Sequence, residues 1–422
     1  MPRLSTLFVA AEVAQDAIAP LDELLRSMAC APGQADPANP LVPFGAIAGV
    51  QVARFVVLED PSLPDRIGHS PFPPHEPTRL ALLVDGDGSP EELIDRFVAA
   101  AAPGLTRIFR HCDPGLAEDA LAAWMRRHQI RPAATYANRP DRASRQIREE
   151  AALHDALLAA RLAYPAATPE ALWPHLEAAA AAVPLTPVPA PGLLARLAGL
   201  AGLLLPPLLL LAFLPLLLLA APVLIVMLRR RETTDPVIAP RPVRARNAML
   251  SAIEDHDVAN QYSAIGTLKP GRFRRWLTIA ILAAIGWGAH HLFRRGRLGR
   301  VNTIHFASWT FLDDKRRVFF ASNYDGSREA YNDDFINKVA YGLNLSFSNG
   351  LGYPRTDWLI LGGARHEQDF KWYLFHHQIP TQLWYNAFRG LTAYDMARNA
   401  RLRAAFEARP TGTALHRFVA EI

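Results

Sequence analysis

One stretch of the chain is apolar without interruption. Residues 197–228 contain no charged side chain, and leucine is the commonest residue among them. A helix needs about 20 apolar residues to cross a bilayer, so this stretch exceeds one perpendicular crossing and falls short of two. Its four prolines predict kinks or a re-entrant hairpin, and Arg229 begins a basic stop. We therefore predict a membrane segment or hairpin over residues 193–231.

A second apolar segment, residues 276–293, is bracketed by arginines on both sides. It contains Trp276, Trp287, His290 and His291. Such amphipathic ring side chains are favourable at the membrane–water interface. The pattern predicts a second membrane helix, which either spans the bilayer or lies flat at its surface.

Periodicity predicts the elements of the C-terminal part of the chain. Residues 302–312 and 316–322 are rich in β-branched and aromatic residues around a polar turn, which predicts a hairpin. Ser327 is a good N-cap for a following amphipathic helix. Further elements are strands over 343–348, 357–361 and 380–386, and a helix over 366–377. The order strand, helix, strand, strand, helix, strand is that of a ferredoxin-like unit, with one extra leading strand.

The chain contains much of this pattern twice. Asp87 and Asp325 are 238 positions apart, and each begins an Asp-Gly-Ser step that is followed, at the same distance, by a Gly-Leu pair. Two further blocks match in the same order, at offsets of 249 and 254 positions. Three collinear blocks are hard to obtain by chance. We therefore interpret the chain as two copies of one unit.

The first copy is less regular than the second. Its predicted elements include a strand over 6–11 and helices over 21–28 and 142–162. A proline-rich insertion over 61–77 separates two of its strands, and a counterpart of the strand over 357–361 is missing. The strand and helix at the start of the chain are expected to complete its sheet instead.

These elements predict an α+β fold: tandem ferredoxin-like repeats that form a pseudo-twofold α+β barrel, interrupted by a hydrophobic membrane segment. Two copies that cover each other's sheets must lie on one side of the membrane, so the number of crossings is expected to be even. The predicted divisions are the first copy (1–164), an Ala/Pro-rich linker (165–192), the membrane segment or hairpin (193–231), a basic polar linker (232–275), the second membrane or interfacial helix (276–293) and the second copy with a C-terminal helix (300–422).

Composition and charge narrow the class of partner. Half of the 422 residues are apolar, which excludes wholesale disorder. The net charge is +5, and residues 229–275 alone carry ten Lys or Arg against five Asp or Glu. A basic segment beside an apolar one indicates attraction to anionic lipid headgroups rather than to nucleic acid. The two cysteines, Cys30 and Cys112, form no disulfide or metal pattern and suit a reducing compartment. The oligomeric state is left open.

Two resemblances to known families follow from these motifs. Two ferredoxin-like copies in one chain resemble the dimeric α+β barrels of dye-decolourising peroxidases and chlorite dismutases, which bind haem. Residues 304–307 with 322–326, and 362–365 with 381–385, look more closely like a group of bacterial membrane-associated proteins of this repeat type, for which no activity is established. The resemblance implies a bacterial cytoplasmic (inner) membrane location. Basic segments flank the second candidate helix on both sides, so the positive-inside rule does not decide the orientation, and we favour both copies facing the cytoplasm. The peroxidase resemblance is one of fold, which is weak evidence for function.

His305 is the first candidate for chemistry. It stands between Ile304 and Phe306 in a predicted strand, so alternation predicts that it faces the cavity between the copies, opposite to both neighbours. A histidine there could bind haem iron or shuttle a proton. The alternative is a strand histidine that is simply hydrogen-bonded in the sheet. The first copy has Gln51 at this position, so only one copy would hold the role.

Three further residues complete the candidate catalytic set. Asp325, like Asp87, stands at a strand-to-helix corner, where a carboxylate is either an acid or base or a cap of a helix N-terminus. Arg365 follows a glycine-rich corner that either binds an anion or is a plain turn. Tyr385 either lines the predicted cavity or packs in a core.

A polar box over residues 254–257 is the remaining candidate. Carboxylates beside His256 can bind a metal, but Ser251 with Glu254 also fits the capping box of a helix start. No zinc, nucleophile-elbow or dinucleotide signature is present, and no metal site is predicted.

Two functions remain open on these grounds. The first is a membrane-anchored oxidoreductase, peroxidase-like or monooxygenase-like, that takes a lipophilic substrate from the lipid bilayer into a cavity between the copies. Its cofactor is unknown, with haem as the candidate. The second is a non-catalytic membrane-anchored scaffold or partner-binding module.

Overall fold

The computed structural model describes residues 4–62, 76–188, 192–235, 243–293, 298 and 301–422. The protein has an α+β fold in which two mixed or antiparallel sheets carry helices on their outer faces. The predicted insertion over 61–77 lies almost entirely outside the described residues.

The first sheet has the order β1-β5-β4-β12-β3-β2. Its strands are β1 (Leu4–Glu12), β2 (Ala29–Ala31), β3 (Gln34–Ala35), β4 (Val50–Leu58), β5 (Arg79–Asp87) and β12 (Leu383–Asn386).

The second sheet has the order β6-β8-β9-β7. Its strands are β6 (Ala134–Ala137), β7 (Ala259–Thr267), β8 (Ile304–Leu312) and β9 (Arg317–Asp325). A separate small hairpin consists of β10 (Thr356–Asp357) and β11 (Leu361–Gly362).

The two sheets exchange one strand each. β6 comes from the N-terminal part of the chain and pairs with β8 of the second sheet, where Tyr136 stands opposite Ala307. β12 comes from the C-terminal part and pairs with β4 of the first sheet, where Tyr385 stands opposite Ala53. The two pairings are reciprocal, and they bind both halves of the chain into one folded body.

Each exchanged strand is also tied to the sheet of its own half. The Ile130 amide donates to the Phe8 carbonyl of β1 over 2.8 Å, just before the chain enters β6. The Ile379 amide donates to the Ser263 carbonyl of β7 over 2.8 Å, just before β12. The chain therefore links the two sheets at two places, between β1 and β6 and between β7 and β12.

The helices lie outside this pair of sheets. Their bounds are α1 (Ile18–Arg26), α2 (Pro90–Phe109), α3 (Leu121–Arg127), α4 (Ser144–Ala163), α5 (Pro169–Ala181), α6 (Leu193–Ala212), α7 (Leu214–Thr234), α8 (Arg244–Ser251), α9 (Arg272–His291), α10 (Arg328–Phe347), α11 (Glu367–His377), α12 (Ala393–Glu407) and α13 (Thr413–Glu421).

Helices α2 and α10 are matched in detail. Ser89 caps α2 and Ser327 caps α10, the latter as predicted, by accepting a hydrogen bond from a backbone amide of the first turn. Each helix also contains one residue with non-helical backbone angles, Ala101 in α2 and Val339 in α10. These two residues are 238 positions apart, which is the offset found in the sequence.

Several predicted elements need correction. The strand predicted over 343–348 is the last part of α10, and the linker predicted over 165–192 contains α5. The polar linker predicted over 232–275 contains β7, an edge strand of the second sheet. Helix α9, predicted to be a membrane or interfacial helix, instead packs against β6 and buries Ile281 and Leu282. From β7 onward the chain runs strand, helix, strand, strand, helix, small hairpin, helix, strand, and the last of these strands, β12, belongs to the first sheet.

The space between the two sheets is filled by side chains. Phe8 of β1 and Phe319 of β9 meet there, with ring centroids 5.5 Å apart. Arg54 of β4 is fully buried in the same layer and donates hydrogen bonds to the second sheet. The central part of the space between the two sheets is therefore occupied by a packed core, and an open pocket of about 910 Å³ that is lined by residues of both halves lies at its margin.

The apolar segment forms two helices joined at Phe213. Among the described residues, Leu193–Ala212 is the one helix that is long and apolar enough to cross a membrane, and none of its side chains is buried. The pair is fixed to the body at two points. Trp287 of α9 donates to the Gly202 carbonyl over 3.0 Å, and buried Glu232 at the end of α7 accepts from Thr356 and from the Leu359 amide.

Candidate functional site

His305 and Asp325 lie side by side at the end of the second sheet. The β8–β9 register shifts between Ile304 and Phe306, so a bulge interrupts the alternation. Ile304 packs in the outer core and Phe306 in the layer between the sheets. The prediction that both neighbours share a face is therefore wrong. His305 is 6% exposed, and its Nε2 is hydrogen-bonded to Asp325.

Asp325 has a structural partner of its own. Its second oxygen accepts from the Ala393 amide at the start of α12 over 2.8 Å. Asp87 makes the same pair of contacts in the first sheet, with Gln51 over 2.8 Å and with the Ser144 amide at the start of α4 over 2.8 Å. Each carboxylate thus caps a distant helix and holds it to a strand end.

The other two candidate residues lie elsewhere. Arg365 is exposed on a short turn after β11. Tyr385 of β12 stacks on Phe44 with centroids 5.4 Å apart in the core of the first sheet, and burial raises the pKa of its hydroxyl. The structure therefore brings together His305 and Asp325 but does not add Arg365 and Tyr385 to one site.

The surroundings of His305 do not fit haem. Its Nε2 is engaged by Asp325, and its carbonyl accepts from the Asn138 amide over 2.9 Å. The layer between the sheets, toward which it was predicted to point, is packed by side chains such as Phe8 and Phe319. A haem plane next to this imidazole would displace core side chains.

The polar box over 254–257 has structural roles. Ser251 ends α8 instead of starting a helix, so the predicted capping box is wrong. Asp257 accepts from the Gly390 amide over 2.8 Å, and Asn260 donates to Asp255 and to the Gly326 carbonyl. Within the described ranges, no cluster of three or more His, Cys, Asp or Glu side chains is arranged to hold a metal ion.

A cavity of about 220 Å³ lies on the outer face of the second sheet, under α9, α10 and α11. Sequence reasoning did not identify it. Its walls are apolar and rich in aromatic rings. The lining residues include Trp309, Phe320, Tyr331, Asn332, Phe335, Val339, Gly342, Phe347 and His377.

Tyr262 and Tyr331 line one end of the cavity, and Tyr324 lies behind Tyr331 without lining it. Tyr324 and Tyr331 stack with centroids 4.0 Å apart, and Tyr262 lies 6.0 Å from Tyr331. Burial raises the pKa of all three hydroxyls, so they stay protonated. Behind them Glu254 pairs with Arg328 over 3.6 Å, and burial raises the Glu254 pKa to about 7.

The opposite end of the cavity opens between α9 and α10. Tyr341 is 52% exposed there, and Leu345, Ile285 and Phe293 are half-buried. Helix α9 also carries the contact to α6 through Trp287. The opening therefore lies beside the helix that contacts the exposed apolar segment.

The corresponding place in the first sheet is filled. Phe44 packs against Phe55 and Phe97, with centroids 6.5 Å and 6.2 Å away. By the sequence offsets, Phe55 is the counterpart of Trp309 and Phe97 that of Phe335, and both counterparts line the cavity. The cavity is thus the position that Phe44 occupies in the other half. By the offset of 254 positions, the counterpart of Phe44 is Leu298, a smaller side chain that lines the cavity.

Comparisons with protein-family models, with curated proteins and with solved structures found no match to this chain.

Proposed function

We propose that this is a membrane-anchored α+β protein that binds a lipophilic small molecule in the cavity of the second sheet. The observation that carries the proposal is the apolar cavity of about 220 Å³, whose opening lies beside a helix in contact with an exposed leucine-rich helix. A concave apolar site with a few polar groups at one end is typical of small-molecule sites.

We propose further that the two sheets are tandem ferredoxin-like repeats closed into a pseudo-twofold α+β barrel. The reciprocal exchange of β6 and β12 supports this, as do the ties of each exchanged strand to its own half. The resemblance to bacterial membrane-associated proteins of this repeat type fits the same arrangement.

The membrane topology is part of the proposal. Because exchanged strands join both halves into one body, both must lie on the same side, and the segment 193–234 must re-enter or cross an even number of times. The basic residues that follow this segment favour the cytoplasmic side of a bacterial inner membrane.

Two observations favour ligand binding over the other candidate functions. The predicted catalytic residues His305, Asp325, Arg365 and Tyr385 do not converge on the cavity, which weakens the peroxidase-like and monooxygenase-like proposals. A scaffold would not need an apolar cavity with an opening beside the apolar helices.

Membrane attachment is expected to survive salt and carbonate washing, because it rests on apolar burial and not on charge. Replacing Leu208 and Leu218 together with arginine is expected to move most of the protein to the soluble fraction, since each central arginine costs about 3 kcal/mol in a bilayer. The control, Arg230→Gln with Arg231→Gln, should remain bound. Recovery of the wild-type protein in the soluble fraction after salt alone would refute the anchor.

Filling the cavity is expected to abolish ligand binding. Gly342 lines the cavity, and a Cβ there would meet only the Val339 Cβ, at 3.9 Å. In lipid nanodiscs, tryptophan energy transfer to the neutral probe N-phenyl-1-naphthylamine should be saturable for the wild-type protein. Gly342→Phe should weaken binding at least tenfold, whereas the control Gly342→Ala should keep it. The proposed function would be overturned if both variants and empty nanodiscs gave equal energy-transfer signals that did not saturate with increasing probe concentration.

A further inference from the structure

We infer that the ligand of this cavity is a neutral, flat ring compound with carbonyl oxygens, the chemistry of a quinone. The inference rests on the proposed function and specifies its ligand class. Three properties of the cavity lead to it: the shape of its walls, the absence of charge in them and the hydrogen-bond donors that they hold.

The walls favour a flat ring. Trp309 lies 5.0 Å from Phe320 and 6.5 Å from Phe347, and Phe320 meets Phe347 edge to face at 5.2 Å. Aromatic side chains pack best against another ring, by offset stacking or edge-to-face contact. A dry protein cavity of about 150 Å³ accepts benzene, so about 220 Å³ suits one or two fused rings. A longer apolar tail would have to leave through the opening near Tyr341.

The walls also favour a neutral ligand. Among the described residues that line the cavity there is no Lys, Arg, Asp or Glu. A carboxylate or phosphate group would find no counter-ion among these described lining residues, and burying an unpaired charge is strongly unfavourable. The nearby Arg328 is already paired with Glu254. Fatty acids and phospholipid headgroups are therefore disfavoured.

Two donors in the walls lack acceptors. The Nε1 of Trp309 and the Nδ2 of Asn332 are buried, and neither has a hydrogen-bond partner among the described residues. Both groups donate and cannot accept. A buried donor without an acceptor is costly, so a ligand oxygen that satisfied it would gain affinity. A quinone places carbonyl oxygens on opposite sides of a flat ring, which suits two separate donors.

These donors occur only where the cavity is open. The counterparts of Trp309 and Asn332 by sequence offset are Phe55 and Ile94, which lie in the packed core of the first sheet. Neither can donate a side-chain hydrogen bond. In the first sheet the site is both closed by Phe44 and without donors, whereas in the second it is open and has two.

The test compares matched ligands on the full-length protein in nanodiscs, by displacement of N-phenyl-1-naphthylamine. Menadione has a fused ring with two carbonyl groups, 2-methylnaphthalene has the same carbon skeleton without them, and 2-naphthoate adds a negative charge. After correction for partition into empty nanodiscs, menadione is expected to bind at least tenfold more tightly than 2-methylnaphthalene. The anion 2-naphthoate is expected not to displace the probe.

Two variants identify the donors. Trp309→Phe and Asn332→Leu keep the shape of the walls and remove one donor each, so each is expected to weaken menadione binding about fivefold. Binding of 2-methylnaphthalene should change less than twofold. Trp384→Phe is the tryptophan control, because Nε1 of Trp384 already donates to Asn323 over 2.9 Å, outside the cavity. It should not change the affinity for menadione.

The outcomes separate this inference from the proposed function. Equal affinities for menadione and 2-methylnaphthalene, unaffected by either donor variant, would overturn the quinone-like ligand and leave a lipophilic site in place. Tight binding of 2-naphthoate would overturn the neutral ligand. Failure of every ligand, with no effect of Gly342→Phe on the probe, would remove the proposed function as well. Circular dichroism verifies that each variant is folded. If Trp309→Phe does not fold, Asn332→Leu alone tests the role of the donors.

Discussion

Replacing Arg54 with methionine is expected to lower the free energy of unfolding by about 3–5 kcal/mol, the range typical of removing one member of a buried polar network. Arg54 is 1% exposed and lies between the two sheets. Its guanidinium donates to the carbonyls of Tyr262 and Ser322 over 2.7 and 3.0 Å. It also donates to the side chains of Ser263 and Asn323 over 3.1 and 2.5 Å. One side chain of the first sheet thus satisfies four acceptors of the second.

The loss is expected to depend on pH through Asp85. Burial raises the Asp85 pKa to about 6, although a hydrogen bond from Thr6 and the charge of Arg54 act in the opposite direction. Removing Arg54 raises this pKa further. A carboxyl group whose folded pKa is raised stabilises the fold at low pH, and this stability is lost as pH rises through the folded value. Arg54→Met should therefore be less damaging at pH 5 than at pH 8.

Guanidinium unfolding in detergent, followed by circular dichroism, measures the effect. Adding Asp85→Asn should recover part of the loss at pH 8, because it removes the buried charge left without a cation. The control is Ser308→Ala at the counterpart position of β8, where the buried hydroxyl has no hydrogen-bond partner among the described residues; its effect should stay below about 1 kcal/mol. Equal unfolding midpoints for Arg54→Met and Ser308→Ala would contradict the bridging role.

The sequence predicts much of the fold because its signals are local. The cap residue Ser327, apolar alternation and the repeat offset led correctly to β8, β9, the start of α10, α11 and β12. One of the elements that it missed, β7, has the polar sequence Ala259–Thr267, which resembles a linker. It is a strand because β9 pairs with it along its whole length and because Gln261 and Ser263 find buried partners. Such long-range pairing overrides local propensity.

Helix α9 shows the same limit for membrane prediction. Its apolar middle part suggests a membrane helix, but the helix as a whole is not apolar enough to span a bilayer, and the core helix of a folded body has a similar pattern. Which of the two it is depends on whether a sheet covers it, and here β6 does. That strand is contributed by the other half of the chain, so no local pattern around residues 272–291 contains the answer.

The candidate site was harder to predict than the fold. His305 was placed by strict alternation, and one bulge was enough to make that placement wrong. The cavity has no motif of its own, because it arises where one side chain is too small to fill the space. Phe44 fills this position in the first sheet from the segment between α1 and β4, whereas its counterpart by offset in the second, Leu298, is smaller and lines the cavity.

The two matched glycines of α2 and α10 are expected to respond to alanine in opposite ways. At Gly104 a Cβ would lie 1.9 Å from the Leu41 carbonyl oxygen, which is backbone and cannot rotate away. At Gly342, 238 positions later, the nearest atom is the Val339 Cβ at 3.9 Å. The difference exists because the segment that carries Phe44 presses on α2 at Gly104, whereas Val339 of the same helix is the only described contact of the Cβ position at Gly342.

Gly104→Ala is therefore expected to destabilise the protein by about 2–4 kcal/mol, through overpacking against a fixed backbone. Gly342→Ala is expected to stabilise it by about 0.5–1 kcal/mol, since alanine is the better helix former. Guanidinium unfolding of both variants in detergent measures the change in the free energy of unfolding, and therefore its sign, for each variant. If both alanines were neutral, or if Gly342→Ala were the more damaging, the close approach of Leu41 to α2 and the open space beside α10 would both be in error. The cavity proposed as the ligand site would then lose its structural basis.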